Sequence, residues 1–301
     1  MKLYPQCIVC QINVRYRDLE KIKDLDMQTK MLAMREVLDI SRDFLDSCLN
    51  GKDSCIPTEL ATKLFRYVKH TLRNSDPYFE DKILAHKEAL KMYEVAKEVV
   101  FSEKESRAML YKALQFSLVG NLLDIGVLNY IPPKVEEVME RAQSLKIHGD
   151  VDKAIDLLLK SESVIMVLDN AGEAVFDRLV ADVLRGIGAK VYAIVKGGAF
   201  QNDVTIADAP YAMLNKSFDG VYDTGTDASS IFLYELREEV RSLIESSNVI
   251  LSKGMANYEY ITEIVNILRK PVIYALVAKC LPVSIDSGIP LGEAGIRIYV
   301  P

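Results

Sequence analysis

Between Ser163 and Ala278 the chain alternates between two kinds of segment. SVIMVL (163–168), KVYAIV (190–195), GVYDTG (220–225), NVILS (248–252) and PVIYALVA (271–278) are short apolar runs of strand character. Helical spacing follows the first run in Val175, Leu179, Val180, Val183 and Leu184. It follows the third in Leu233, Leu236, Val240, Leu243 and Ile244, within a helix expected over Phe232 to Ser246. Ile206 to Leu214 predicts a short helical piece, Tyr258 to Arg269 a helix, and IRIYV (296–300) a last edge strand. Strands alternating with helices require right-handed crossovers and a mostly parallel sheet. The expected fold is α/β, a Rossmann-like sheet with helices on both faces.

The chain before about residue 150 has almost no strand signal. Asp18 to Asn50 predicts one long helix, stopped by Asn50-Gly51. Pro57 restarts the chain as a first-turn proline, and Leu60, Leu64, Tyr67 and Val68 mark an apolar face. Ser75-Asp76-Pro77-Tyr78 is a break. Lys82 to Val100 and Arg107 to Val119 read as further helices. The division expected is 1–150, an all-helical N-terminal or cap domain, and 151–301, an α/β domain. Within the first, GNLLD (120–124) sets Asn121 and Asp124 three residues apart among apolar neighbours. Composition alone favours a turn or cap there.

The net charge of −6 argues against general nucleic-acid or anionic-membrane binding, and no apolar run is long enough to cross a bilayer. Gln11, Asn13 and Arg15 interrupt the N-terminus where a signal peptide needs an apolar core. A soluble cytoplasmic protein is expected. The cysteines are Cys7, Cys10, Cys48, Cys55 and Cys280, an odd number that gives no reason to expect a disulfide framework.

In a parallel sheet the carboxyl ends of the strands share one edge, where ligands bind. Strand one ends in Asp169-Asn170, followed by Ala171-Gly172 and a helix opened by Glu173. Strand two ends in Lys196-Gly197-Gly198 and leads to Asn202, Asp203 and Asp208. Strand three ends near Asp223 and Asp227. Strand four ends in Ser252-Lys253-Gly254, with Asn257 beyond. Asp169, Asn170 and Asp208 offer only hard oxygen donors, and His70, His86 and His148 all lie outside the α/β half. That favours Mg²⁺ or Mn²⁺ over a thiolate-rich zinc site. Lys253 and Gly254 suit a phosphate, as a point charge beside backbone N–H groups. A metal and a lysine on one pocket equip a site for phosphoryl chemistry. The sequence contains no GxxxxGK[ST], no GxSxG and no GxGxxG after the first strand, so a P-loop, an α/β-hydrolase elbow and the usual dinucleotide site are unsupported.

LDNAGE (168–173), GNLLD (120–124), NDVTIADA (202–209), SKGMANYE (252–259), CIVC (7–10), DPY (76–78) and AKCLPVSIDSGIPLG (278–292) together resemble the damage-control phosphatase family. This family is also called domain of unknown function 89, and the likeness is to its archaeal or microbial branch. The resemblance implies a helical N-terminal region on a Rossmann-like domain. It also implies a metal-dependent phosphatase for small phosphometabolites, including sugar phosphates, that uses Mn, Co, Ni or Mg. Asp169, Asn170 and Asp208 resemble the metal ligands, and Asp208 matches the family spacing better than the competing Asp203. Lys253 resembles the phosphate-contacting lysine, with Gly254 and Asn257 beside it. Asn121 and Asp124 resemble a substrate-side pair. Glu173 resembles an acid near the metal, with an acid–base role or one behind the ligands. Attack on phosphorus would come from water or from Asp169.

Cys7-Cys10 has no second CxxC. With Cys280 it would form a metal site or redox pair, or else the two are small buried thiols beginning a helix. Two other functions fit the same sheet: an S-adenosylmethionine-dependent methyltransferase, and a sugar-phosphate-binding protein without turnover. The sequence leaves the oligomeric state unknown.

Overall fold

Among the described residues up to Ser144 the regular elements are all helices: α1 (Pro5–Glu20), α2 (Met27–Leu49), α3 (Pro57–Leu72), α4 (Phe79–Phe101), α5 (Ser106–Leu122) and α6 (Val135–Ser144). The computed structural model describes residues 1–21, 25–51, 54–122 and 135–301, and of residues 121, 122, 135 and 136 the backbone alone. The expected long helix over Asp18 to Asn50 is two helices. Pro5 sits in the first turn of α1, while Asp26 caps α2 by accepting from Thr29 N at 2.9 Å. Cys48 and Cys55 are joined by a disulfide, which the odd cysteine count did not foretell. Their Cα atoms stand 5.3 Å apart, where the chain passes from α2 to α3.

The rest of the chain alternates as expected. It runs β1 (His148–Gly149), α7 (Val151–Leu159), β2 (Ser163–Val167), α8 (Glu173–Gly186), β3 (Lys190–Val195) and a 3₁₀ turn (Leu214–Lys216). Then come β4 (Gly220–Asp223), α9 (Glu238–Ser246), β5 (Val249–Lys253), α10 (Met255–Leu268), β6 (Val272–Val277), α11 (Leu281–Ser287) and β7 (Ala294–Tyr299). These strands form one sheet in the order β1-β7-β6-β5-β2-β3-β4. Every neighbouring pair is parallel except β6 with β7. β7 is not the outermost strand, because the two-residue β1 pairs beyond it.

Two helical expectations differ from the structure. Ile206 to Leu214 forms turns, not a helix, with Ala209 N bonded to Thr205 O and Tyr211 N to Asp208 O. The helix expected from Phe232 begins only at Glu238. Phe232 is occupied instead by stacking on Tyr260 at 4.5 Å, and Glu235 by pairing with Arg66.

Apolar clusters cover both faces of the sheet. One joins α4, α5, α6 and α8 to β2 and β3. The other joins α9 and α10 to β5 and β6. The helical half therefore shares a core with the sheet. Phe116 of α5 stacks on Phe176 of α8, with centroids 6.4 Å apart. A Cβ at Gly120 would come within 3.0 Å of the Glu173 backbone, so glycine lets α5 lie against the first turn of α8. α1 and α3 cover another part of the strand ends. Thr62 Oγ1 of α3 bonds Ser229 Oγ, and Lys69 pairs with Asp227 at 2.6 Å. No helix among the described residues is long and apolar enough to cross a membrane.

Candidate functional site

β2 and β5 are neighbours, yet the chain leaves β2 towards β3 and leaves β5 towards β6, on the opposite side. Helices depart in both directions from this point, and a crevice opens at the carboxyl ends of the two strands. Asp169 and Asn170 follow β2 into it. The Asp169 carbonyl accepts from Val204 N at 2.8 Å, Ala171 N donates to Asn202 O at 2.8 Å, and Asn170 forms an antiparallel bridge with Asp203. These bonds fasten the loop after β3 across the end of β2. Gln201 in that loop holds a left-handed φ of 46°, a strained conformation for a residue with a side chain.

Asp169, Asn170 and Asp203 are all buried. Burial is the main force holding the Asp169 carboxyl well above the ordinary range. The charges of Asp203 and Glu173 add to it, while Lys196 and Lys279 oppose it. Asn170 Nδ2 donates to Asp169 Oδ2 at 2.9 Å and to Glu173 Oε2 at 3.2 Å, which turns the amide oxygen away from both acids. Among the described residues no three His, Cys, Asp or Glu side chains form a ready-made metal cage. The donors at hand are two carboxylates and an amide oxygen. They could hold a hard divalent cation, which would favour the ionised form of Asp169.

Gly254 supports this set from below. Its φ of 75° and ψ of 173° are open only to glycine, and a Cβ there would fall inside the Asp169 carboxylate. Lys253, expected to face phosphate, is fully buried. Its Nζ lies 2.6 Å from Glu173 Oε1 and 2.7 Å from Asp177 Oδ1, and Asp177 also accepts from Ser117 Oγ at 2.6 Å. Burial works against the ammonium, but the two acids outweigh it and hold its pKa above the ordinary value. Asn257 Nδ2 donates to Leu168 O at 3.2 Å and to Lys253 O at 2.9 Å, which staples the ends of β2 and β5 together.

Asp208 sits in a separate buried cluster. One carboxylate oxygen accepts from Lys82 Nζ at 2.8 Å and from Thr205 N at 3.0 Å, and the other meets His86 Nε2 at 2.9 Å. Burial alone would raise this carboxyl, but the His86 bond and the Lys82 charge hold it below the ordinary range. His86 Nδ1 accepts from Gly172 N at 3.2 Å, so the ring donates through Nε2 and links Asp208 to the turn after Asp169. The sequence reading kept histidine away from this region; α4 brings His86 into it. The side chain of Asn121 and the whole of Asp124 lie outside the described residues.

A cavity of about 450 Å³ opens beside the strand ends, floored by Asn202, Met255 and Lys279. Lys279 is a cation that the sequence reading did not single out. It follows β6, a strand end that could have been read like the other four. Asp177 was also missed, although it stands one turn from Glu173 on the same face of α8. Cys7, Cys10 and Cys280 line the cavity too, and burial pushes the Cys7 thiol up to about 11.

The model of the damage-control phosphatase ARMT1-like domain matches residues 3–294. The chain belongs to this family. A damage-control phosphatase of Archaeoglobus fulgidus is 31% identical over 302 residues, covering 99% of both chains. An uncharacterised protein of Methanocaldococcus jannaschii is 30% identical over 97% of this chain and 94% of its own. The crystal structure of a domain of unknown function 89 protein from Pyrococcus horikoshii superposes with a TM-score of 0.83. It is 26% identical, and 98% of each chain is covered. This member of the damage-control phosphatase family therefore shares its fold along nearly its whole length, including the helical half.

Proposed function

We propose that this family member is a divalent-metal-dependent phosphatase acting on small phosphorylated metabolites, sugar phosphates among them. The observation that carries the reading is the meeting of Asp169, Asn170 and Asp203 at the β2–β5 crevice, beside a cavity lined by Lys279. The relatives named as damage-control phosphatases support it.

A bound Mg²⁺, Mn²⁺, Co²⁺ or Ni²⁺ would polarise the phosphoryl oxygens. Asp169, Asn170 and Asp203 would hold it. Asp203 is preferred to Asp208 as the third oxygen donor because it bridges Asn170 at the end of β2, whereas Asp208 stands in a separate cluster with Lys82, Thr205 and His86; Lys196, 3.4 Å from Asp203, would move aside or share it. Lys279, whose charge reaches Asp169, neutralises charge that develops on the phosphoryl group. Lys253 acts through Glu173: the ion pair fixes Glu173, Glu173 holds Asn170 Nδ2, and the Asn170 oxygen stays directed outward. The attacking group is water or the Asp169 carboxylate.

The test is release of phosphate from an aryl phosphate and a panel of sugar phosphates, using chelator-treated protein with each metal added back singly. Turnover that needs metal and is absent in Asp169→Ala is expected. Folded protein that turns over nothing with any metal would instead fit a phosphate-binding or adenosyl-cofactor protein.

A further inference from the structure

The roof of the 450 Å³ cavity is one face of α1. Cys7, Cys10, Val14 and Arg17 recur at three- and four-residue spacing and all line it. Its floor reaches the crevice directly, because Asn202 precedes Asp203, Met255 follows Gly254, and Lys279 acts electrostatically on Asp169. The volume lies in the range of small-molecule pockets.

The charges around this cavity are unevenly matched. Arg15 pairs with Asp18 at 2.9 Å, Lys21 with Asp81, Lys69 with Asp227 and Lys82 with Asp208. Arg17, in the midst of them, makes no ion pair among the described residues. The acids of the cavity wall do not answer it at neutral pH. Burial holds the Glu259 carboxyl up at about 8, and it raises the thiols of Cys7, Cys10 and Cys280. The cavity therefore presents Lys279 at its metal end and Arg17 on its roof, with no ionised acid of its own between them.

We propose that this cavity receives the leaving group of the substrate, and that Arg17 selects phosphate monoesters whose far end carries a second anionic group, a carboxylate or another phosphate. The inference rests on the phosphatase reading above. A guanidinium binds both groups through paired N–H donors, which a lysine at this position would not reproduce. The single charged phosphate is held at the crevice, so a second anion distinguishes otherwise similar metabolites.

The experiment compares matched pairs with metal-loaded protein: glycerol 3-phosphate against 3-phosphoglycerate, and a hexose monophosphate against its bisphosphate. The anionic member of at least one pair is expected to have a kcat/KM at least tenfold higher. Which pair responds tells a carboxylate from a phosphate. Arg17→Gln should collapse that ratio to near one by raising KM, and Arg17→Lys should restore only part of it. Turnover without any preference, or a preference that survives Arg17→Gln, overturns this inference alone. Absence of turnover on every substrate, an aryl phosphate included, overturns the phosphatase reading and this inference with it.

Discussion

Gly254 and Asp169 share one space: the Asp169 carboxylate lies where the side chain of any other residue at 254 would have to begin. β5 thus shapes the end of β2, although the two residues are far apart in sequence. Gly254→Ala should push the carboxylate off its position and force alanine into a backbone conformation costing about 1–3 kcal/mol. A fall in Tm together with loss of the stabilisation given by Mn²⁺ is expected in thermal unfolding. An alanine variant that kept both would show that Asp169 does not need its present seat.

The Lys253 ammonium is enclosed by Glu173 and Asp177, all three fully buried. Replacing the lysine by methionine leaves two buried carboxylates without their cation. The expected loss is about 3–5 kcal/mol, read from urea unfolding. Glu173→Gln keeps Asp177 as partner and should cost less. If Lys253→Met were as stable as the parent protein, the ammonium would be free to serve the substrate.

Asp208 and Asp203 make different predictions. Asp208→Asn removes the charge that Lys82 and His86 enclose, so Tm should fall sharply while phosphate release with saturating metal persists below the melting range. Asp203→Asn breaks a buried pair with Lys196, 3.4 Å away, so it should lower Tm of the metal-free protein as well, but unlike Asp208→Asn it should abolish the rise with metal. The pair of melting curves, with and without Mn²⁺, checks both.

Glu259 gives a pH dependence. Burial is the main reason its carboxyl is held up at about 8 in the folded protein, against 4.5 when exposed, and Asp286 pushes the same way. A raised folded pKa means the folded state binds the extra proton. The stability it contributes is complete below pH 4.5 and is lost as pH rises through about 8. Relative to Glu259→Gln, the parent protein should therefore lose Tm progressively over that window. Parallel Tm profiles for the two proteins would contradict the assignment.

Much of the architecture was legible because strand and helix periods are written into the residues themselves. The interior strands β2, β3, β5 and β6 carry nearly unbroken apolar runs, and Asp169-Asn170 stands out at the end of the first. The rest depended on partners distant in the chain. β1 has two residues and exists only because β7 is there to pair with it. Phe232 belongs to an apolar stretch of helical spacing but is held outside a helix by Tyr260. Asp208 and Asp203 look alike in sequence, five residues apart. What separates them is His86 and Lys82 on α4, whose arrival beside Thr205 no local pattern announces.

The central claim, that Asp169, Asn170 and Asp203 form the metal site, is tested most directly by calorimetric titration of Mn²⁺ into chelator-treated protein. One site is predicted in the parent protein and in Asp208→Asn, and none in Asp169→Ala or Asp203→Asn. Binding that survives Asp203→Asn and disappears in Asp208→Asn would contradict it, as would a folded parent protein that takes up no metal.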